Sequence, residues 1–310
     1  MDDGVVVGRS AVVLGAGSAG SRHATVLRNL GIDTQLLSRR SDREELAQRM
    51  TSKRGWDDVE LIVVATESSS HAQVLLDIAN SSFDGQILVE KPGIVSEGDL
   101  SSLSRLNIRV AYNLRYLEGL AFIESAVSSE MPLTASIVCR SNLSDWRADW
   151  DRPGQYSRTK SLGGGVLFDL SHELDYFLKL FGEPDVLKGI GGRLGRVTLD
   201  SDDSWKLLAS YENGPAISLD LSYLSHLGER TFVVQQADRT ISLDLITGKG
   251  IDSDSGVLTF NSISSTHQLM LRDWANNGGS ALPDLKENMT TLNFIRRVRA
   301  LSSEQGLHHE

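Results

Sequence analysis

The feature that most restricts the possible folds is a glycine-rich turn near the start of the chain. An apolar run, Ser10–Leu14, leads directly into Gly15-Ala16-Gly17-Ser18-Ala19-Gly20, and residues 22–30 then have helical periodicity. In such a unit the first glycine permits the turn, the second lets a pyrophosphate approach the backbone, and the third lets helix and strand pack closely. The pattern predicts a dinucleotide-binding turn formed by Gly15, Gly17, Ser18, Ala19 and Gly20, and an ordinary structural turn is the alternative.

Strands and helices alternate through the rest of the first third of the chain. Strands are expected at 10–14, 34–37, 61–65, 86–89 and 108–112, and helices at 22–30, 42–53, 71–80 and 97–105. The third of these strands is apolar throughout, as parallel strands covered by helices on both faces are. This order predicts a doubly wound, Rossmann-type α/β domain over residues 1–113.

The pattern changes after residue 113. A helix at 119–129, a strand at 133–140 and a long helix at 164–181 precede five strands that follow one another without helices, near 186–192, 204–211, 215–222, 231–236 and 240–245. Helices at about 265–277 and 285–303 end the chain. We expect an α/β domain over residues 114–310, built on an open, mostly antiparallel sheet, and leave open whether the last helix packs back on the first domain.

Composition argues against several classes of function. The formal net charge of -10 disfavours a nucleic-acid partner, because such binding depends on clustered lysine and arginine. No apolar run approaches the roughly 18 residues that a membrane span requires. The single cysteine, Cys139, excludes an internal disulfide and a cysteine-rich zinc site. We expect a cytoplasmic protein without nucleic-acid, membrane or metal partners.

The end of the second predicted strand bears on the choice of dinucleotide. A carboxylate about 20 residues after the glycine turn would bind the ribose hydroxyls of NAD. Instead, Leu37 is followed by Ser38, Arg39 and Arg40, and guanidinium groups beside a hydroxyl suit a 2′-phosphate. These three residues therefore favour NADP over NAD. In the alternative, both arginines only solvate the strand end and Asp42 caps the next helix.

Four further motifs contain residues suited to chemistry. They are Ala65-Thr66 with Ser68-Ser69-Ser70-His71, Glu90-Lys91-Pro92, Ala111-Tyr112-Asn113-Leu114-Arg115-Tyr116, and GGGVLFDLSHELD from Gly163 to Asp175. In this order they resemble the glucose-fructose oxidoreductase and inositol dehydrogenase family (Gfo/Idh/MocA), over nearly the whole chain. The resemblance implies reversible hydride transfer between a nicotinamide cofactor and a hydroxyl or keto carbon of a sugar or cyclitol.

The resemblance also implies roles for individual residues. The catalytic residues would be Lys91, Asp169 and His172. Cofactor contacts would come from Ala65, Thr66, His71, Glu90 and Lys91, and substrate contacts from Lys91, Tyr112, Asn113, Arg115, Asp169 and His172. Asp169 and His172 are three residues apart, whereas the corresponding pair is commonly four apart in the family, so Asp169 departs from the pattern.

These residue types suit the implied chemistry. His172 fits a proton acceptor or donor, because an imidazole titrates near physiological pH. Lys91 fits a donor to the oxygen at which charge develops. Asp169 would orient the substrate or tune His172, and Tyr112 or Tyr156 is an alternative base.

Helical periodicity places the polar residues of the last of these motifs on one face of a helix. At 100° per residue, Asp169, His172 and Tyr176 lie opposite an apolar stripe, which consists of Val166, Leu167, Leu170, Leu174, Phe177, Leu178 and Phe181. We interpret the polar face as part of the site because three glycines precede it and the motif matches. The alternative is a solvated surface.

A loop before the glycine triplet combines aromatic side chains with cations. Sugars bind to such mixtures of ring faces and hydrogen-bond donors, which suggests substrate contacts from Arg147, Trp150, Tyr156 and Arg158. The loop resembles those of family members from surface-polysaccharide and amino-sugar pathways, which suggests a nucleotide-linked or acidic sugar as substrate. In the alternative, Trp146 and Trp150 are core residues.

The sequence is compatible with three functions. Besides the sugar oxidoreductase, the fold would suit a dinucleotide-binding sensor or assembly protein without turnover, or a reductase of a non-sugar substrate. We expect a homodimer or homotetramer, because exposed sheets of this family often pair subunits.

Overall fold

A computed structural model describes residues 8–38, 41–52, 54–95, 101–146, 156–195 and 199–304. Within these residues the chain forms two compact units. The first contains the chain up to Asn113 together with His267–Asn288, and the second contains Leu114–Thr266 together with the chain from Met289. The division after Asn113 coincides with the boundary expected from the sequence, but His267–Asn288 lies in the first unit rather than in the second.

Hydrogen bonds explain why this late segment joins the first unit. The backbone N–H of Val110 donates to the carbonyl of Pro283 at 3.0 Å, and the guanidinium of Arg109 donates to the carbonyl of Leu282 at 3.1 Å. Arg9 donates to the carbonyl of Ala275. The segment thereby supplies acceptors to the last strand of the first sheet and to the residue before its first strand, which the local sequence pattern does not show.

The first unit is built on a five-stranded parallel sheet. Its strands are β1 (Ser10–Leu14), β2 (Asp33–Leu37), β3 (Leu61–Val64), β4 (Gln86–Val89) and β5 (Asn107–Val110). They lie in the order β2-β1-β3-β4-β5. The helices are α1 (Ser18–Asn29), α2 (Arg43–Thr51) and α3 (His71–Ala79), and a 3-10 helix, Ser101–Arg105, occupies the described part of the fourth predicted helix. The predicted Rossmann-type domain is confirmed.

This strand order determines where a ligand would bind. The chain leaves β1 towards β2 on one side and returns to β3 on the other, so the connections diverge between β1 and β3. Open α/β sheets bind their ligands outside the carboxyl ends of the strands at such a switch point. The glycine turn follows β1 and Ala65 follows β3, so both lie at this point.

The second unit is built on an eight-stranded sheet. Its strands are β6 (Thr134–Asn142), β7 (Val186–Gly192), β8 (Ser204–Ser210), β9 (Ala216–Ser222), β10 (Leu224–Gln235), β11 (Thr240–Asp244), β12 (Lys249–Asp252) and β13 (Gly256–Thr259). Their order is β13-β12-β11-β10-β6-β9-β8-β7, and β6 and β9 are the parallel neighbours among otherwise antiparallel pairs. The predicted open, mostly antiparallel sheet is confirmed. Strands β12 and β13 were not predicted, because their short, glycine-containing sequences show little alternation.

Six α-helices follow Asn113 in the described part of the chain. They are α4 (Glu118–Ser129), α5 (Leu143–Trp146), α6 (Val166–Asp169), α7 (Ser171–Phe181), α8 (Thr266–Asn277) and α9 (Leu285–Glu304). The helix expected over 164–181 is therefore interrupted at Leu170, whose φ of -97° and ψ of 29° are not helical. No helix in the described ranges is long and apolar enough to cross a membrane.

Candidate functional site

The glycine turn has the close contacts that its sequence predicts. Gly15 has a φ of 116°, which favours glycine, and a side chain there would overlap the carbonyl of Ala65. A side chain at Gly20 would overlap the carbonyl of Gly15, so helix α1 packs directly on the turn. At Gly17 no atom lies within 4 Å of the position that a Cβ would take. The backbone at Gly17 is therefore open to a ligand.

The N-terminus of α1 is exposed at this turn. Gly17 and Ser18 are exposed, Ala19 is half-buried, and the helix begins at Ser18. Gly17 provides no side chain to accept hydrogen bonds from the first backbone amides of the helix. Such amides and the helix dipole attract anions, so this end of α1 fits the pyrophosphate of a dinucleotide.

The end of β2 is described only in part. The backbone N–H of Ser38 donates to Oδ2 of Asp42 at 2.6 Å, and the hydroxyl of Ser41 donates to the same oxygen at 3.0 Å. Asp42 is the N-cap residue of α2, although its side chain makes no capping bond to the described residues of that helix. Arg39 and Arg40 lie outside the described residues.

Glu90 and Lys91 follow β4 at the same edge of the sheet. Oε1 of Glu90 lies 2.6 Å from Nε2 of His23, which is buried on α1. Oε2 of Glu90 accepts the backbone N–H of Lys91 at 3.1 Å. Burial alone would raise the pKa of Glu90, but the hydrogen bond from His23 and the charges of His23 and Lys91 hold it far below its usual value. The carboxyl group is therefore ionised at neutral pH.

His71 is a buried linker in the structure. Its Nδ1 lies 2.8 Å from the carbonyl oxygen of Gly93, and its Nε2 lies 3.0 Å from that of Thr66. Burial lowers the pKa of His71. Both ring nitrogens face backbone carbonyls, so the ring connects the loops after β3 and β4, and the predicted cofactor contact remains untested. Ala65 is buried and Thr66 is half-buried at this edge.

A second histidine approaches from helix α8. The rings of His23 and His267 have centroids 6.1 Å apart, and Nδ2 of Asn113 lies 3.4 Å from Nδ1 of His267. Burial, with the nearby charge of Arg22, lowers the pKa of His267 to about 4. His267 is therefore neutral at physiological pH. Asn113, a predicted substrate ligand, is buried in this cluster.

Tyr112 does not fit its predicted role. Its side chain is fully buried among the apolar residues that pack beneath the parallel sheet, including Val110 and Leu103. A ring in that position is inaccessible to a substrate, so Tyr112 is neither a substrate contact nor an alternative base in this structure. The prediction was wrong because the local sequence around a tyrosine after a strand does not show whether its ring contacts a ligand or lies in the core.

Asp169 and His172 lie in the second unit, on either side of the helix break at Leu170. Oδ2 of Asp169 accepts a hydrogen bond of 2.6 Å from the hydroxyl of Tyr223, and both side chains are buried. His172 is 9% exposed. The solvated-surface alternative is wrong, because Asp169, His172 and Tyr176 are all buried.

The carboxylates that follow His172 are neutralised inside the second unit. Nε and Nη2 of Arg115 each donate to Asp175 at 2.7 Å, and the two side chains are 5% and 3% exposed. Nε of Arg230 on β10 lies 2.8 Å from Glu173, which is completely buried. Arg115 was predicted to bind substrate, but its guanidinium is bound in a bidentate ion pair.

The polar face that was predicted for helix 164–181 is not a single face in the structure. Tyr176 stacks on Phe232 of β10, with ring centroids 5.6 Å apart, and burial raises its pKa well above the usual value. Tyr176 therefore belongs to the packing between helix and sheet. A single helical wheel fails here, because the break at Leu170 changes the direction of every later side chain.

The predicted substrate loop is mostly outside the described residues. Arg147 and Trp150 fall there, and of Tyr156 only the backbone is described, in a 3-10 helix, Tyr156–Arg158. The side chain of Arg158 is half-buried. The roles of these four residues remain predictions.

Several residues of the candidate site were missed by sequence reasoning. His23 gave a usable signal, since it stands three residues after Gly20 on a helix expected to face the sheet. Tyr223, Arg230, His267 and Asn288 gave none, because their partners lie 54 or more residues away in sequence.

These two units define the class of protein. One unit has a parallel α/β sheet with a glycine turn at its switch point, as in a Rossmann-type domain, and the other is a second α/β domain with an open, mostly antiparallel sheet. Residues 136–242 match the GFO/IDH/MocA C-terminal domain, which confirms the resemblance inferred from the motifs. None of the curated protein sequences compared with the chain matches it.

Solved structures share the whole fold. UDP-N-acetylglucosamine 3-dehydrogenase GnnA from Acidithiobacillus ferrooxidans has a TM-score of 0.74 and 17% identity, covering 95% of this chain and 98% of that chain. The WlbA dehydrogenase from Bordetella pertussis, in complex with NADH and UDP-GlcNAcA, has a TM-score of 0.74 and 13% identity, covering 96% of this chain and 97% of that chain. An oxidoreductase from Agrobacterium radiobacter, in complex with NAD+, L-tartaric acid and magnesium, has a TM-score of 0.74 and 16% identity, with the same coverages. At these identities the similarity establishes the fold.

Proposed function

We propose that this protein is an NAD(P)-dependent oxidoreductase that transfers a hydride between the nicotinamide and a hydroxyl or keto carbon of a sugar-like substrate. The observation that carries the proposal is the first unit's ligand edge, where the open glycine turn and the exposed N-terminus of α1 lie at the switch point of the sheet. The ionised Glu90 and Lys91 follow β4 at the same edge. The family of the second unit supports the same reaction.

Each catalytic residue has a distinct task in this proposal. The bound nicotinamide supplies the hydride acceptor or donor. Lys91 donates a hydrogen bond to the substrate oxygen, which stabilises the charge that develops there. His172 accepts the hydroxyl proton in oxidation and returns it in reduction. Asp169, which is held by Tyr223, orients the substrate.

The substrate class is inferred from two kinds of support. Two structures with the same fold are named for UDP-N-acetylglucosamine oxidation or contain UDP-GlcNAcA. In this chain, the loop that contains Arg147 and Arg158 supplies cations that suit an anionic or nucleotide-linked sugar. We therefore propose a nucleotide-linked or acidic sugar over a neutral one.

We also propose a preference for NADP. The nearest carboxylate after β2, Asp42, already accepts two hydrogen bonds from Ser38 and Ser41, which leaves Arg39 and Arg40 as the groups suited to a 2′-phosphate. Among proteins of this fold, one from Agrobacterium radiobacter contains NAD+, and one from Desulfitobacterium hafniense is named as NADPH-dependent. The two arginines are the basis for preferring NADP here.

Titration calorimetry with NADPH and NADH tests the cofactor proposal first. A charge-assisted hydrogen bond contributes about 1.5–3 kcal/mol, so NADPH should bind at least about tenfold more tightly. Arg39→Ala with Arg40→Ala should abolish the difference, and Arg54→Ala, an exposed arginine on the same unit, is the matched control. Equal affinities for the two dinucleotides would refute the preference, and failure of both to bind would refute the proposed function.

Turnover is tested by following nicotinamide absorbance with nucleotide sugars, sugar acids and free sugars. Arg147→Ala or Arg158→Ala should raise KM for an anionic sugar and leave NADPH affinity unchanged, as loss of uniform binding does. His172→Ala should lower kcat by about a hundredfold to ten-thousandfold, the usual contribution of a positioned proton-transfer group. Near wild-type turnover of a verified substrate by both His172→Ala and Lys91→Met would exclude their catalytic roles.

We further propose a cytoplasmic homo-oligomer. One face of the large sheet exposes apolar side chains, and a groove of about 550 Å³ on it is lined by Val186, Leu208 and Val233 among polar neighbours. A second copy of the chain is the proposed occupant. Light scattering should give a dimer or tetramer, and Leu208→Asp should reduce it to a smaller species. A wild-type monomer at micromolar concentration would refute the proposal.

A further inference from the structure

The loop that carries Lys91 is held by side chains from three helices. From α1, His23 binds Oε1 of Glu90 at 2.6 Å. From α3, His71 lies 2.8 Å from the carbonyl oxygen of Gly93. From the first turn of α9, Nδ2 of Asn288 donates to the carbonyl of Pro92 at 3.0 Å. The residues on both sides of Lys91 are thus tied to different parts of the same unit.

All three of these side chains are buried. His23 and His71 are completely inaccessible to solvent, and Asn288 is 1% exposed. Hydrogen bonds in such surroundings are not exchanged for bonds to water, so they restrict the backbone more than surface contacts do. Gly93 has a φ of 88°, and a side chain there would overlap the amide oxygen of Asn288. The loop therefore has little room to move at its second end.

At the N-terminal end of this loop, a single carboxylate restrains the backbone. Glu90 binds His23 with Oε1 and the backbone N–H of Lys91 with Oε2, so a single side chain connects helix α1 to the backbone of Lys91. Among the described residues, the titratable groups that interact with this carboxylate are His23 on α1, His71 on α3, Lys91 itself and His267 on α8. The pKa of Glu90 lies far below its usual value, so the carboxylate keeps both bonds at neutral pH.

We propose that His23 is a positioning residue for Lys91 that acts through Glu90, while His71 and Asn288 hold the other end of the same loop. The proposal rests on the function proposed above and adds residues that do not themselves touch the substrate. It also assigns Glu90 to positioning rather than to direct cofactor binding. Helix α1 forms the dinucleotide-binding turn, so the bond from His23 links the placement of Lys91 to the element that receives the cofactor.

A loss of position should affect turnover more than binding. A lysine side chain has four rotatable bonds, and its donor is useful only when the backbone that carries it is fixed. A displacement of about 1 Å at a reacting group can lower the rate about a hundredfold. We therefore expect His23→Leu and Glu90→Gln each to lower kcat about tenfold to a hundredfold, with the Kd for NADPH changed less than threefold.

Two comparisons separate this role from general damage. In His23→Gln the amide can still donate to Glu90, so this variant should recover most of the lost kcat. The double variant His23→Leu/Glu90→Gln should be no worse than either single variant, because the two residues act as one unit. Thr25→Ala, an exposed site on the same helix, is the matched control and should retain the wild-type kcat.

A second measurement does not depend on turnover. Lysines of the whole protein are methylated with ¹³C-formaldehyde, and the signal of Lys91 is the one missing from Lys91→Arg. In wild type, His23→Gln and Thr25→Ala, this signal should have the same shift and width, whereas His23→Leu and Glu90→Gln should shift or broaden it. Glu90→Gln is nearly isosteric, so it decides the outcome if His23→Leu does not fold.

The two proposals can fail separately. If wild type turns over no substrate but the Lys91 signal responds as expected, the positioning role stands and the proposed reaction is wrong. If wild type turns over a substrate but the losses in kcat are additive, or the Lys91 signal is the same in all variants, the positioning role is overturned. The same conclusion follows if NADPH affinity falls in parallel with kcat.

Discussion

The ion pair between Arg115 and Asp175 gives a sharp test of whether Arg115 binds substrate or stabilises the fold. Both hydrogen bonds are 2.7 Å long, and the side chains are only 5% and 3% exposed. In the variant Arg115→Met, the buried carboxylate of Asp175 loses the guanidinium that donates two hydrogen bonds to it. Removing one partner of a buried ion pair is strongly unfavourable, so the loss should appear in the free energy of unfolding.

The expected magnitude follows from this burial. Removing one partner of a buried ion pair lowers the free energy of unfolding by about 3–5 kcal/mol. In a domain of this size each kcal/mol corresponds to about 2–4 °C in Tm, so Tm should fall by roughly 6–20 °C. Replacing both residues in Arg115→Met/Asp175→Leu should recover most of the loss, because the buried carboxylate is then removed together with its guanidinium partner.

Calorimetry and denaturant titration measure these changes. The control is Arg54→Ala, which removes an exposed arginine whose side chain is 90% accessible and lies 3.9 Å from Asp57. An exposed pair contributes about 0–1 kcal/mol, so this variant should be nearly neutral. If Arg115→Met keeps the wild-type Tm and instead raises KM for the substrate, the structural assignment of Arg115 is refuted.

Three further outcomes are expected. The pKa of His267 is about 4 in the folded protein and about 6.5 in the unfolded chain, so Tm should fall as the pH drops from 6.5 towards 4. If Tm of His267→Asn falls with pH as steeply as that of wild type, this reasoning is contradicted. Gly93→Ala should lower stability by about 1–3 kcal/mol, because the left-handed φ and the overlap with Asn288 disfavour a side chain at this position. Unfolding by denaturant measures this loss of stability. Tyr223→Phe should lower stability by about 1–3 kcal/mol and reduce kcat with unchanged NADPH affinity, because Asp169 loses the hydrogen bond from the hydroxyl. An unchanged kcat would show that Asp169 does not need this hydrogen bond for its role.

Much of the fold could be predicted because it depends on local pattern. The apolar strands and the helices between them follow from periodicity, and Gly15 and Gly20 mark a turn that larger residues would obstruct. The motifs likewise indicated Lys91 after β4 and His172 on a helix after a glycine triplet. In these cases the relevant residues are neighbours in sequence, so their spacing alone contains the information.

The partners of these residues could not be predicted in the same way. Tyr112 and Arg115 were predicted to bind substrate, but the side chain of Tyr112 is buried in the core and that of Arg115 pairs with Asp175, 60 residues later. A polar or aromatic side chain reads identically in sequence whether its partner is a ligand or a buried residue. Only the packing of distant segments decides between these outcomes.

The sequence by itself determined the class of fold, the position of the glycine turn and the residues at the strand ends, because backbone conformation and burial pattern are local properties. The tertiary structure decided what surrounds them. His23 lies 67 residues from Glu90, and Asn288 lies 196 residues from Pro92. These contacts form because the parallel strands bring their carboxyl ends to one edge and a late segment of the chain returns to the first unit. Which buried donor meets which carboxylate is therefore a result of chain packing, and no spacing along the sequence contains it.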